Sequence, residues 1–303
     1  MHIQTIISLI HNASVEQVPE DYTERLDHLA GISHEEIKKS GGQLAWRRLY
    51  GDTLLIYSLM DCLSGHPISS NKLEQAIARL DMIIVIAGAP GLGRLDVILG
   101  IIRKIQETHF PTISYRQNDC LFLSLHKSLP APANARKKVP CLLDIPPLAA
   151  FLGEQHHTPF ILRGFADDCP AVAERKWASK SYLKNIAGPG RIVPIEVGSD
   201  YRTDEWSQEL ISWDTFLDYL FPEESSRSAR IHDVLYLAQH DLFKQFPGLV
   251  GDIIVPDYVY SELQPPDYFP QYRPPANEEA LVKNVWFGPE KTISPAHTVR
   301  PII

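Results

Sequence analysis

The sequence predicts an α+β protein in which an all-helical N-terminal part is followed by a strand-rich part with short helices. Three observations support this fold class. Apolar residues recur at helical spacing in the first third of the chain, short β-branched runs bounded by glycine and proline follow later, and a proline- and alanine-rich stretch separates the two. We therefore expect a helical domain over residues 1–128, a linker over 129–141 and a second domain over 142–303.

Composition limits the classes of partner. The 303 residues are 44% hydrophobic and 22% charged, as is usual for globular proteins, and the net charge is -8. This acidic balance argues against direct nucleic-acid binding, which needs a basic surface. Since no apolar run approaches the roughly 20 residues of a membrane span, we expect no membrane partner and a location in the nucleus or cytoplasm.

Three segments in the first part predict helices. The first has apolar residues at helical spacing between Leu44 and Leu59, the second begins after a capping serine at Ser70, and the third covers residues 93–108. The apolar side of the second segment consists of Leu73, Ala76, Ile77 and Leu80. These segments predict antiparallel helix pairs.

Two local motifs suggest ligands but lack the required chemistry. The run from Gly88 to Gly93 is similar to a phosphate-binding loop, yet Arg94 and Leu95 stand where that loop needs lysine and a hydroxyl residue. We interpret it as a break between two helices. The adjacent histidines of "HHTPF" (156–160) point to opposite sides of an extended chain, which disfavours a shared metal ion.

The second part combines short strands with short helices. The pattern predicts a helix within 145–155, another beginning near the acidic pair before Trp206, and a third after a capping serine at Ser212. A proline-rich surface loop is expected at 262–279. Strands are expected at 159–164, 191–197, 233–239 and 283–288.

Several segments of this second part resemble the JmjC (cupin-like) oxygenase family. They are "PIEVGS", "YLAQHDLF" and "WFGPEKTISPAH", which occur in the family's order, and "ARLDMIIVIAGAPGLGRLDVILGIIRKIQ" is similar to the helical domain of its lysine-specific demethylase 8 and arginyl hydroxylase branch. The resemblance implies a double-stranded β-helix that binds Fe(II) and 2-oxoglutarate and modifies a protein or peptide side chain.

The same resemblance implies the site residues. His297 falls on the first of the two histidines that bind Fe(II) together with one carboxylate. Tyr236 and Ser294 fall on hydroxyl positions that hold the 2-oxoglutarate carboxylate.

Three further positions line the substrate pocket in the family. They are Glu196, Gln239 and Trp286, and a carboxylate with an aromatic ring would suit an arginine or lysine side chain. Ordinary core packing is the alternative interpretation of Tyr236 and Trp286.

The sequence departs from the family pattern immediately after His297. The resemblance implies an aspartate two residues later, where Val299 stands with no oxygen to offer a metal ion. We therefore expect a C-terminally truncated, incomplete β-helix that stops after the first metal-ligand strand and does not stably hold Fe(II) or 2-oxoglutarate. Three origins of this truncation stay open: a genuine isoform, translation into an intron, or a gene model that stops early.

Two functions are consistent with this sequence. In the first, the chain belongs to a 2-oxoglutarate-dependent protein hydroxylase or demethylase and lacks turnover itself because no catalytic site is complete. In the second, it is a non-catalytic truncated isoform or interaction protein that acts through its helical domain.

Overall fold

The computed structural model describes two compact units, and each is treated by itself. The first contains residues 22–63, 68–110, 187–197 and 207–220. The second contains residues 139–153, 158–174, 176–186, 198, 206, 221–222, 234–261, 268–271, 281–290 and 292.

Four helices begin the described chain, and short helices and strands are interspersed after them. In chain order the elements are α1 (Tyr22–Lys39), α2 (Leu44–Leu63), α3 (Ser70–Val85), α4 (Arg94–His109), β1 (Cys141–Leu142), α5 (Leu148–Gly153), β2 (Ile161–Leu162), α6 (Pro170–Ala173), α7 (Lys180–Ala187), β3 (Ile192–Val197), β4 (Ser207–Ser212), α8 (Trp213–Leu220), β5 (Leu235–His240), α9 (Leu242–Gln245) and β6 (Val285–Phe287). Short 3-10 helices cover Lys176–Ala178, Pro247–Asp252 and Asp257–Tyr260.

The first four helices pack in sequence order around one apolar core. Each helix contacts the next, and the side chains of Ile77, Leu80, Ile98 and Ile102 are almost completely buried between them. This confirms the helices expected from the spacing. The predicted cap of α3 was off by one residue, because Ser69 accepts the hydrogen bond from the backbone N–H of Lys72 and Ser70 is already helical.

The glycine-rich run between α3 and α4 is a helix break, as the sequence predicted. Gly88, Gly91 and Gly93 all have positive φ angles, which glycine adopts without a side-chain clash. The guanidinium Nε of Arg47 donates to the carbonyl of Ala87 at 2.6 Å and holds the end of α3. The run therefore turns the chain from α3 into α4.

A β-hairpin and a helix complete the first unit. Strand β3 pairs antiparallel with β4 along its whole length, from Ile192 opposite Ser212 to Val197 opposite Ser207, and α3 packs against β3. The prediction of a helix beginning near Trp206 is wrong, because Ser207–Ser212 forms β4 and its backbone pairs with β3. The predicted cap at Ser212 is confirmed, since its Oγ accepts from the Thr215 N–H at 3.5 Å.

The second unit contains a parallel strand pair, short helices and an antiparallel strand pair. Strands β1 and β2 are parallel and only two residues each, so the strand predicted at 159–164 is shorter than expected. The helix predicted within 145–155 is present as α5. Strands β5 and β6 are antiparallel, and Leu237, Phe246 and Leu249 are buried in the core.

The structure confirms a chain of mixed helix and antiparallel strands with helices at its N-terminal side. The incomplete double-stranded β-helix and the boundaries 1–128, 129–141 and 142–303 stay predictions. Several expectations lie outside the described residues: residues 111–128, most of the linker, His156 and His157, and most of the loop at 262–279. Within the described ranges, no helix is both long and apolar enough to cross a membrane.

Candidate functional site

The register of β5 and β6 brings two of the predicted substrate residues together. Leu237 pairs with Phe287 and His240 pairs with Val285, so two residues of β5 oppose a single residue of β6. These two are Ala238 and Gln239, and the residue opposite them is Trp286. The strand pair therefore contains a β-bulge at Gln239, a device that changes the direction of a side chain.

Trp286 and Tyr236 lie on the same face of this strand pair. Val285 and Phe287 share the face of Leu237, since directly paired residues point to one side and side chains alternate along a strand. Trp286 is therefore on the opposite face, where its side chain is 50% exposed. Tyr236, one residue before Leu237, alternates to that same face.

Tyr236 is half-buried because the chain after β6 approaches its ring closely. A Cβ atom on Gly288 would lie 2.6 Å from Tyr236 Cδ2 and 2.9 Å from the Thr292 hydroxyl. Only a residue without a side chain allows this approach. This packing favours a fixed position for the Tyr236 ring beside Gly288 and Thr292, which precede the predicted ligands Ser294 and His297 in the sequence.

Glu196 belongs to the first unit and is described there alone. It lies near the end of β3, directly opposite Gln208 of β4, and is half-buried. Val193 and Ile195 of the same strand are buried, so Glu196 is on the opposite and more accessible side of β3.

The predicted metal and cofactor residues His297 and Ser294 lie outside the described residues. Among the residues that are described, no group of three or more His, Cys, Asp or Glu side chains is arranged to hold a metal ion. Tyr236 is the predicted 2-oxoglutarate contact that lies within the described residues.

One buried polar cluster of the second unit was not anticipated from the sequence. The Asp252 side chain accepts hydrogen bonds from the Tyr182 hydroxyl at 2.6 Å and the Trp177 indole at 3.0 Å, and Lys176 Nζ lies 3.4 Å away. Burial and the neighbouring Asp252 carboxylate raise the pKa of Tyr182. These partners are 70 or more residues from Asp252, so no local pattern could have revealed them.

His240 and Gln245 form a second interaction that sequence reasoning missed. His240 Nε2 and Gln245 Oε1 are 2.8 Å apart, and Gln245 is completely buried. The sequence signal was the continuity of "AQHDLFKQF", in which a strand leads directly into a capped turn of helix. The pair lies immediately after the bulge.

Comparisons with known proteins indicate the family. No family model matches the chain. It is 34% identical over 264 residues to lysine-specific demethylase 8 of Danio rerio, covering 83% of this chain and 58% of that protein. It is 38% identical over 164 residues to Jumonji C domain-containing protein 5 of Drosophila melanogaster, covering 51% and 36%. It is also 34% identical over 139 residues to JmjC domain-containing protein D of Dictyostelium discoideum, covering 46% and 30%.

A mixed chain of helices and antiparallel strands, with aromatic and amide residues presented by one strand pair, is compatible with a JmjC fold. The sequence similarities to these relatives show that the chain belongs to the JmjC-domain proteins. It spans only part of the length of the curated relatives that it matches, from 28% to 58% in five of them.

Proposed function

We propose that the chain carries part of a 2-oxoglutarate-dependent JmjC oxygenase, a protein hydroxylase or demethylase that recognises a basic side chain of a protein or peptide. The observation that carries the proposal is the β5–β6 register, which sets Gln239 opposite Trp286. The similarity to lysine-specific demethylase 8 over 83% of the chain supports it.

The chemistry of the exposed groups favours a cationic substrate side chain. The half-exposed Trp286 indole offers a face for a cation–π contact with lysine or arginine. Gln239 is exposed at the bulge and offers an amide oxygen as an acceptor. Glu196, in the first unit, is a proposed substrate contact on the resemblance alone. Arginyl hydroxylation and lysine demethylation are alternatives within this class.

Fe(II) and 2-oxoglutarate are the proposed cofactors of the family, with His297 as a metal ligand and the hydroxyls of Tyr236 and Ser294 as contacts of the 2-oxoglutarate carboxylate. Val299 stands where the family pattern places the acidic ligand and cannot coordinate a metal ion. We therefore propose that this chain does not turn over 2-oxoglutarate by itself. We also propose that it is located in the nucleus or in the cytoplasm.

Binding of short peptides tests the proposed recognition. We expect arginine- or lysine-containing peptides to bind the purified chain more tightly than a matched norleucine peptide, measured by fluorescence anisotropy. The Trp286→Ala variant should weaken binding by about tenfold, as expected for a cation–π contact of about 1 kcal/mol or more. The control is Tyr268→Ala, which removes another exposed aromatic ring of the second unit. Equal binding of all three peptides, or equal loss in the two variants, would contradict the proposal.

Consumption of 2-oxoglutarate tests the proposed lack of turnover. Purified chain is incubated with Fe(II), ascorbate and 2-oxoglutarate, with and without peptide, and succinate is quantified. We expect no succinate above the protein-free control. Clear turnover that disappears in His297→Ala would show an active enzyme and reject this part of the proposal.

A non-catalytic interaction protein that acts through the helices is the second candidate. The observation that favours it is the apolar core of the first four helices, in which Ile77, Leu80 and Ile98 are fully buried. This candidate is supported if the peptides do not bind and a partner binds undiminished to the Trp286→Ala variant. It is rejected if Trp286→Ala abolishes peptide binding.

A further inference from the structure

The β5 bulge holds a residue with a side chain in a backbone conformation that favours glycine. Gln239 has φ +51°, one of only two positive φ angles at non-glycine residues in the described part of the chain. Such a conformation crowds Cβ against the backbone and persists only where surrounding contacts offset its cost. Since Gln239 is a proposed substrate contact, the contacts that maintain this bulge bear on the proposed function.

The contacts immediately after the bulge fix the strand at this point. His240 resumes the ladder opposite Val285, and its ring is hydrogen-bonded to the Gln245 side chain at 2.8 Å. Gln245 ends helix α9 and has no exposed surface.

Helix α9 is itself rigidly held. The Asp241 carboxylate caps it by accepting from the Lys244 N–H at 3.0 Å, and Leu242 and Phe243 are buried. The Phe246 N–H closes the helix on the carbonyl of Leu242 at 2.7 Å. The Gln245 amide is therefore a fixed anchor, five residues after His240.

We infer that His240 and Gln245 are positioning residues that hold the β5 bulge in the register that sets Gln239 opposite Trp286. The effect of this register on binding a basic peptide rests on the proposed function, whereas the positioning role itself does not. The His240–Gln245 hydrogen bond acts through Gln239 and does not touch the substrate itself.

Two substitutions at one position separate the hydrogen bond from side-chain volume. Gln245→Met keeps the length of the side chain but cannot accept from His240, whereas Gln245→Glu keeps an acceptor oxygen at the same place. The matched control is Gln106→Met in the first unit. Gln106 is also hydrogen-bonded, to the carbonyls of Ala187 and Pro189, and is not part of the proposed site.

The first readout is the cross-strand nuclear Overhauser effect between the backbone protons of Gln239 and Trp286 in the labelled full chain. We expect it in the unmodified chain, in Gln245→Glu and in Gln106→Met, and we expect its loss in Gln245→Met. Its persistence in a folded Gln245→Met variant would overturn the inference, as would its absence from the unmodified chain.

The second readout is a double-mutant cycle on the affinity for an arginine-containing peptide. Gln245→Met should weaken binding by about tenfold, the effect of one lost hydrogen bond. In a Gln239→Ala background, Gln245→Met should have no further effect, because it acts through Gln239. Equal losses in both backgrounds would indicate a merely structural role and overturn the inference.

Two outcomes keep the tests independent of folding and of the proposed function. If Gln245→Met does not fold, Gln239→Gly in the same chain should restore folding, because glycine adopts positive φ without strain; failure of this rescue counts against the inference. If the unmodified chain binds no peptide while the cross-strand signal follows the expected pattern, the proposed function fails and the positioning role stands.

Discussion

Asp81 and Arg191 form a bidentate ion pair in the interior of the first unit. Arg191 Nε lies 2.8 Å from Asp81 Oδ2 and Nη2 lies 2.7 Å from Oδ1, while the Ile192 N–H donates to Oδ2 at 3.0 Å. The Asp81 side chain has no exposed surface. The pair therefore joins α3 to the start of β3, the strand that carries the proposed substrate contact Glu196.

Removal of one partner of this pair should be strongly destabilising. The Asp81→Ala variant leaves the Arg191 guanidinium buried without its counter-charge and removes the acceptor of the Ile192 N–H. We expect the free energy of unfolding to fall by about 3–5 kcal/mol, measured by urea denaturation followed by circular dichroism.

The control is an ion pair near the surface of the same unit. Asp52 pairs with Arg94, and its side chain is 41% exposed. Asp52→Ala should cost less than about 1 kcal/mol because water screens the interaction. Equal losses in the two variants would show that burial of Asp81 does not determine the strength of its pair.

A fragment that ends at residue 128, the predicted limit of the helical domain, should respond differently from the full chain to Asp81→Ala. It retains Asp81 but contains neither Arg191 nor β3, so we expect the Asp81 carboxylate to be exposed to solvent there. We expect Asp81→Ala to change its free energy of unfolding by less than about 0.5 kcal/mol, as at other surface positions. A large loss in the fragment would mean that Asp81 has a partner within the helices.

The turn before Arg191 should not tolerate a side chain. Gly190 has φ +77°, and a Cβ atom there would lie 3.1 Å from Ile77 Cδ1 and 3.2 Å from the backbone of Glu74. We expect Gly190→Ala to cost roughly 2–4 kcal/mol of unfolding free energy through backbone strain and overpacking. Thermal and urea denaturation measure this loss.

The same substitution within a helix should change the free energy of unfolding in the opposite direction. Gly100 lies within α4, and a Cβ atom there meets nothing within 4 Å. Gly100→Ala should raise the free energy of unfolding by up to about 1 kcal/mol because alanine restricts the unfolded chain. Stabilisation by both substitutions would contradict the described turn.

Two tyrosines with raised pKa values, Tyr50 and Tyr182, should make the protein less stable in alkali. Burial, followed by the hydrogen bond and charge of Asp252, raises the pKa of Tyr182, and burial raises the pKa of Tyr50 to about 12. The folded protein then holds protons that the unfolded chain releases above its ordinary tyrosine pKa of about 10. Stability is therefore complete below about pH 10 and is lost as the pH rises toward the folded values.

Urea denaturation at about pH 8 and about pH 11 measures this effect. The fall in unfolding free energy between the two pH values should be smaller in Tyr182→Phe than in the unmodified chain, with a remainder to which Tyr50 contributes. An unchanged pH dependence in Tyr182→Phe would mean that its phenol ionises equally in both states.

Much of the local structure could be predicted from local patterns. Helix α4 and strand β3 appear where apolar spacing and β-branched residues indicated them, because the adjacent residues decide which face is apolar. The helix expected near Trp206 failed for the opposite reason. Ser207–Ser212 has a weak local preference, and pairing with β3 decides its conformation.

The candidate site was only partly accessible to sequence reasoning. The resemblance singled out Gln239 and Trp286 separately, but their opposition depends on a bulge between the pairs at Leu237 and His240. A shift of one residue reverses the face of every side chain in a strand, and single-sequence patterns do not determine register to that accuracy.

The sequence by itself determined the class of the protein, the positions of several helices and strand runs, and the family that its motifs resemble, because these depend on neighbouring residues. Only the tertiary structure decided which distant groups meet. Asp81 and Arg191 are 110 residues apart, and Tyr182 and Asp252 are 70 residues apart. Such pairs form because burying a charged or hydroxyl group without a partner is costly, and the folded chain alone decides which partner is within reach.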